Sequence, residues 1–275
     1  MITDVPQVPL FVPASRPERF SKADGAGADA VIADLEDAVA PQDKDAARAA
    51  LVNHGAFSSP LFIRVNAAGT PWFEDDLRAC EKINPSALML PKADDAEIVR
   101  SLIERFSGKV HILPLIETAK GLAGLPRVLD GGAWTAAFGS VDYALDLGCA
   151  ENDRALLHAR SEIVWRCRAA SRPAPLDGVS TSLDDAARIE SEARHAADLG
   201  FGGKLAIHPK QIAPIRAAFA PSEKEIAWAQ KIIAAASQGS AQRVAGEMID
   251  LPVLERAKKV LARQANSPRS RSSEK

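Results

Sequence analysis

Glu117 closes the apolar run HILPLIE (111–117), and Asp142 follows the apolar run WTAAFGS (134–140). Both carboxylates stand where the chain leaves a hydrophobic segment. Two such acids brought together without a counter-charge repel, and one tends to keep its proton. A hard divalent cation resolves the conflict, because Mg²⁺ commonly takes one or two protein carboxylates and keeps its other positions for water or substrate oxygens. An ion pair from Glu117 to Arg64 or Lys92 resolves it equally well, and the residue types alone leave both readings open. The segment FGSVDYALDLG also offers Asp146. If VDYALDLG opens as a helix after the strand, Asp142 is nearer the strand end and Asp146 lies one turn further on, which selects Asp142.

Arg64 ends the apolar segment PLFIRVN (60–66) in the same way. A guanidinium there can clamp a carboxylate or steady an oxyanion through its fork of donors. The competing reading is a structural salt bridge to Glu36 or Asp37, which close DAVIADLED (29–37). His208, before Pro209, could act as a base, although a lone histidine at a strand end more often makes a structural hydrogen bond. Cys149 has no marked activating neighbour and reads as structural.

The elements that must carry these residues are eight short apolar segments. VPLFVPA (8–14) and ALMLPK (87–92) join the four above, and PAPLDGVS (173–180) and GKLAIHP (203–209) complete the set; the proline-rich seventh is the weakest strand. Most are continuous apolar runs, as expected of strands covered on both faces. Helical patterns fall between them. Residues 43–53 are amphipathic after Pro41, and 94–106 open at Asp94 as N-cap. Residues 152–170 begin at Asn152, and 182–199 run from Ser182 to the C-terminal Gly200. Ser222 and Glu225 have the spacing of a capping box. Strands alternating with helices predict an α/β chain folded as a (β/α)₈ barrel, a fold of about 250 residues. An open doubly wound sheet would bring a glycine-rich phosphate turn after its first strand, and VPASRPERF has none. The expected organisation is a barrel over 1–221, C-terminal helices and an arm over 222–265, and a polar, disordered tail over 266–275. A barrel places its chemistry at the carboxyl ends of the strands, where this sequence sets Ser15, Arg16, Glu36, Asp37, Arg64, Asn66, Lys92, Glu117, Asp142 and His208.

The bulk numbers exclude several classes. The 275 residues can bury a sizeable core, and a formal net charge of −2 favours neither nucleic acid nor an anionic membrane. Three cysteines without a CxxC pair argue against a disulfide framework or zinc site and for a reducing, cytoplasmic setting. The start, MITDVPQVPL, lacks the features of a secretory signal. No apolar run approaches the roughly 20 residues that span a bilayer.

The segments FVPASRPERFSKA, DAVIADLEDAVAP, IRVN, LMLPK, LIETAKG, AAFGSVDYALDLG, GFGGKLAIHPKQI and GEMIDLPVLERAKKVL occur in this order over residues 8–262. Jointly they resemble the citrate lyase β-subunit-like branch of the HpcH/HpaI aldolase family, within the phosphoenolpyruvate/pyruvate barrel superfamily. The resemblance implies a barrel with Mg²⁺ on Glu117 and Asp142. It implies that Arg64 binds the acid's oxygens and steadies a developing enolate, and that Gly139 and Ser140 join Arg64 and Glu117 around the substrate. Glu36 and Asp37 would line the catalytic pocket. The arm carrying MIDLP would reach over a neighbouring subunit of a homotrimer and bring Asp250 into that subunit's site as the base.

Relatives of this branch act on acyl-CoA thioesters of hydroxy acids such as citryl-, malyl- or citramalyl-CoA. The implied reaction is retro-Claisen or aldol cleavage into acetyl-CoA and a 2-oxo acid, or the reverse condensation. Mg²⁺ would polarise the C–O bond that becomes a ketone, and Arg64 with the metal would stabilise the enolate. Arg16, Arg19 and Lys22 are candidates for the CoA phosphates, or else form a solvated helix face. The sequence has no acyl-carrier or transferase segment, although separate citrate lyase subunits could supply them. Two other functions compete: a CoA-free aldolase that releases pyruvate, which the MIDLP arm disfavours, and a non-catalytic accessory barrel, which Arg64, Glu117 and Asp142 together disfavour.

Overall fold

The computed structural model describes residues 2, 4–237, 243–244, 247–248 and 250–265. It divides into two compact units, 1–216 and 217–275. The first holds eight parallel strands in sequential order: β1 (Pro9–Pro13), β2 (Ala30–Asp34), β3 (Leu61–Arg64), β4 (Ala87–Leu90), β5 (His111–Ile116), β6 (Ala137–Phe138), β7 (Leu176–Asp177) and β8 (Gly203–Lys204). The ring closes between β8 and β1. The Phe11 amide donates to the Ala206 carbonyl at 2.8 Å, and the Ala206 amide to Pro9 at 2.9 Å. Gly203 makes this seam possible, because a Cβ there would stand 2.3 Å from the Gln7 carbonyl oxygen. The result is the expected (β/α)₈ barrel.

Helices fill the returns: α1 (Phe20–Asp24), α2 (Lys44–His54), α3 (Phe73–Ile83), α4 (Ala96–Arg105), α5 (Ala119–Asp130), α6 (Ser140–Leu147), α7 (Asp153–Ala169), α8 (Ala186–Leu199) and α9 (Ile212–Phe219). The barrel interior is filled by Ile32, Phe62, Met89, Leu113 and Leu115, all buried. Trp134 is also buried there; it meets Phe62 edge-on at 6.1 Å and stacks on His111 at 4.2 Å. Burial of each large apolar side chain contributes about 1.5–3 kcal/mol.

The local signals place the helix ends to within a few residues. Asn152 caps α7, its side chain accepting the Ala155 amide at 2.9 Å, and α8 ends at Gly200 with φ 103°. Asp95, not Asp94, caps α4 by accepting the Glu97 amide; Asp94 pairs with Lys120 at 2.9 Å instead. Helix α8 starts at Ala186 rather than at Ser182, because Asp185 supplies the cap. Helix α3, whose first turn carries three acids after Phe73, and α5, which contains Pro126, are not among the expected helices.

In the second unit, α10 (Glu223–Ser237) and α11 (Leu251–Ala265) pack through Ala229, Ile232, Ala257 and Val260. The expected capping box is formed: the Ser222 amide donates to Glu225 at 2.8 Å, and the Glu225 amide to Ser222 Oγ at 3.2 Å. β9 (Arg243–Val244) and β10 (Glu247–Met248) pair antiparallel. The expected tail, 266–275, and Ile249 of the MIDLP segment lie outside the described residues. No helix among the described residues is long and apolar enough to cross a membrane.

Candidate active site at the carboxyl ends of the strands

β2 stops at Asp34 because that side chain bends the chain over. One carboxylate oxygen accepts the Glu36 amide at 2.9 Å and the other the Ala38 amide at 3.1 Å. Asp34 faces Arg64 in the β2–β3 register, and the same two oxygens receive Arg64 Nε and Nη2, each at 2.7 Å. Arg64 Nη1 is left for Glu36 at 3.2 Å and Asp37 at 3.3 Å. Burial alone would weaken the hold on the Arg64 proton, but the Asp34 hydrogen bonds and the charges of Asp34, Glu36 and Asp37 outweigh it and raise its pKa. The guanidinium carbon lies 5.1 Å from the centre of the Phe11 ring. The salt bridge to Glu36 and Asp37 thus exists, but the principal partner is Asp34, which sequence reasoning missed.

Glu36 is buried. Its Oε1 accepts Lys92 Nζ at 3.1 Å. Its Oε2 touches Arg64 in ion-pair contact without hydrogen-bond alignment. Burial pushes its carboxyl pKa up and the Asp37 charge adds to this, against the pull of Arg64 and Lys92.

Glu117 follows β5 and is only 2% exposed. Lys92 sits in the left-handed region at φ 49°, unusual for a side-chain-bearing residue. That turn aims its amide at Glu117 Oε1, 2.8 Å away, with Nζ at 3.7 Å. Burial, then the Glu36 charge, with a smaller push from Asp142, raises the Glu117 pKa to about 7 against the opposing Lys92. Gly139 lies directly on this carboxylate, and a Cβ there would stand 3.1 Å from Oε2.

Asp142 is exposed in the first turn of α6 and lines the cavity at the strand ends. Asp146 is used elsewhere, its carboxylate accepting the Ala119 amide at the start of α5 at 2.7 Å. Ser140 is buried, lines the same cavity and reaches Glu151 at 3.2 Å. The cavity holds about 420 Å³; Asp34, Asp37, Arg64 and Asp142 form its polar side, and Phe11 and Phe138 belong to its apolar side.

Arg16, Arg19 and Lys22 are exposed, with Arg16 4.0 Å from Glu18, and they lie outside the cavity lining. His208 caps the short turn Pro209–Gln211, its Nδ1 accepting the Lys210 amide at 3.2 Å, which is the structural role. Asp250 is exposed in the second unit, where its carboxylate accepts the Val253 amide at 3.1 Å and caps α11.

The donor set fits a hard divalent cation. Glu117 is a buried carboxylate crowded by like charge, with Gly139 packed against its Oε2. Among the described residues no group of three or more His, Cys, Asp or Glu converges in metal-ligand geometry. Glu117 and Asp142 could hold such an ion only with substrate or water oxygens completing the shell, the habit of Mg²⁺ rather than of a structural zinc.

Fold and site together define a barrel with an acid-rich catalytic rim built around one pinned arginine. Residues 7–209 match the HpcH/HpaI aldolase/citrate lyase family, and the chain belongs to that family. It is 38% identical over 263 residues to a citrate lyase subunit beta-like protein of Mycobacterium tuberculosis, covering 92% of this chain and 94% of the relative. It is 30% identical over 280 residues to the mitochondrial citramalyl-CoA lyase of Homo sapiens, covering 90% and 82%. It superposes with a TM-score of 0.85, at 35% identity, on CitE from M. tuberculosis in complex with magnesium, acetoacetate and coenzyme A, covering 94% of this chain and 98% of the other.

Proposed function

We propose that the protein is a Mg²⁺-dependent carbon–carbon lyase that cleaves a hydroxyacyl-CoA thioester into acetyl-CoA and a 2-oxo acid, or runs the reverse condensation. The observation that carries this reading is the approach of Gly139 to Glu117, with Gly139, Asp142 and Arg64 lining one cavity. Bound Mg²⁺ supplies Lewis-acid polarisation of the hydroxy-acid oxygens and fixes their orientation. Glu117 and Asp142 would hold it. Arg64, kept charged and oriented by Asp34, offers a fixed dipole and charge where negative charge develops on the thioester oxygen. A base takes the hydroxyl proton, the carbon–carbon bond breaks, and its electron pair passes into the thioester enolate. Protonation of that carbon gives acetyl-CoA, so one substrate yields two products with no added oxidant or reductant. The apolar wall formed by Phe11 and Phe138 excludes water from the enolate.

Asp250, delivered by a neighbouring subunit of a homotrimer, is the proposed base. Its capping of α11 leaves the carboxylate exposed and fixed in direction. Arg16 and Lys22 are proposed to meet the CoA phosphates outside the cavity. Mixed oligomers of Asp250→Ala and Glu117→Ala chains should recover part of the activity that each alone lacks; demonstrably mixed assemblies without recovery would remove the shared site.

The deciding experiment is a cleavage assay on citryl-, malyl- and citramalyl-CoA, with Mg²⁺ and with EDTA, following acetyl-CoA and the 2-oxo acid. Metal-dependent turnover of one thioester is the expected result and names the substrate. Silence on all three with Mg²⁺ binding intact would reassign the site to a carrier-bound thioester or a CoA-free hydroxy-keto acid.

A further inference from the structure

Behind the rim, out of the cavity, lies a buried polar cluster with no part in the chemistry above. Lys44, the first residue of α2, is 4% exposed, and its ammonium sits 5.0 Å from the centre of the Trp72 ring. It donates to the Leu35 carbonyl at 2.7 Å, the Glu36 carbonyl at 2.8 Å and Asn66 Oδ1 at 2.6 Å. Its three donors are thus spent on the two residues after β2 and on the second residue after β3. Asn66 in turn donates to the Leu35 carbonyl at 3.0 Å and to Asp76 at 2.7 Å. Arg48 closes the far side of Asp76 at 2.8 Å.

A buried ammonium is retained only where its hydrogen bonds are complete, and here they are complete at one location alone. The turn over residues 34–38 is gripped from two sides. Asp34 collects its amides, at Glu36 and Ala38, and Lys44 collects its carbonyls, at Leu35 and Glu36. From that turn the Glu36 side chain reaches Arg64 Nη1 at 3.2 Å and Lys92 Nζ at 3.1 Å. Through Asn66 the same ammonium fixes the chain just beyond Arg64.

We infer that Lys44 is a positioning residue: one buried ammonium locks the β2 and β3 turns together and so sets the placement of Glu36 and Arg64 at the reacting centre. The assignment of that centre rests on the lyase reading. The placement itself is physical and can be measured without turnover.

The test uses full-length Lys44→Met, which keeps the volume and removes the donors. By hydrogen exchange, the amides of 35–39 should exchange at least about tenfold faster than in wild type, while those of β5 keep their protection. Mg²⁺ should still bind, because its proposed ligands Glu117 and Asp142 follow β5 and β6. Displacement of Glu36 and Arg64 by about 1 Å should lower kcat on the order of 100-fold, with a smaller change in KM. The loss should not add to that of Arg64→Lys, since both act through the same guanidinium. If Lys44→Met does not fold, Lys44→Gln, which keeps N–H donors on a shorter stem, is read in the same way. Unchanged exchange over 35–39, or a loss that adds fully to Arg64→Lys, would overturn the assignment. A wild type inactive on every thioester would sink the lyase reading alone, and the exchange result would still decide the role of Lys44.

Discussion

A Cβ at position 139 would stand 2.6 Å from Glu117 Cβ and 3.1 Å from its Oε2. Gly139 has a negative φ of −91°, so the requirement for glycine is space beside the carboxylate, not a left-handed backbone. Gly139→Ala should therefore push Glu117 aside while leaving β6 formed. We expect Mg²⁺ affinity, measured by calorimetry, to fall about tenfold or more, equivalent to about 1.4 kcal/mol. Wild-type affinity in the variant would show that Glu117 is not a ligand.

Glu117 gives the site a pH dependence of unusual sign. Its pKa is raised to about 7, so the fold disfavours the ionised form. Without metal, this group lowers stability as pH rises from the ordinary carboxylate range toward about 7, and it lowers nothing below that range. A divalent cation needs the ionised form and removes the penalty. Mg²⁺ should accordingly raise Tm more at about pH 8 than at about pH 5.5, and binding at the lower pH should release a proton. Thermal melts with and without Mg²⁺ check this, with Glu117→Gln as the control. Equal stabilisation at both pH values would contradict it.

Asp34 takes both Arg64 Nε and Nη2 at 2.7 Å and two backbone amides besides. An amide in its place offers one acceptor oxygen and sets an N–H₂ against donors. Asp34→Asn should release Arg64 from its fork and lower kcat by about 10²–10³-fold, the scale of losing one fixed charge-stabilising donor. KM should change less, because the Glu117 and Asp142 pair is untouched. Steady-state kinetics separates the two, and a change confined to KM would make Arg64 a binding residue only.

Glu117 and Arg64 were legible in the sequence because each terminates an apolar run, so the type change marks the rim. Asp34 was hidden for the opposite reason: it lies inside DAVIADLED, which reads as one strand over 29–37, whereas the strand ends at Asp34 itself. The acid that stops the strand also orients Arg64, and no periodicity announces that. Lys44 was hidden because a lysine in an amphipathic helix is ordinarily a solvated one, and its partners are carbonyls eight and nine residues back. The eight-strand count was recoverable from apolar runs, although β6, β7 and β8 keep only two ladder residues each. Their registers follow from the closed ring rather than from their own composition.

The seventh strand also carries an ion cluster that sequence reading did not detect. Asp177 is fully buried and receives Lys204 Nζ at 2.8 Å and Arg160 Nε at 2.9 Å. Burial would raise the Asp177 pKa, but the two cations outweigh it and hold the pKa below its usual value. Its contribution to stability is therefore present above the ordinary carboxylate range and lost as pH falls through the lowered value. Asp177→Asn leaves two buried cations short of a counter-charge, with Lys204 only 1% exposed. Removing one member of a buried pair costs about 3–5 kcal/mol, so the variant should show that loss in urea unfolding near neutral pH. The difference from wild type should shrink as the pH is lowered through the acid range, where Asp177 itself protonates. A loss that stays constant with pH would mean that Asp177 acts by shape and hydrogen bonding, not by charge.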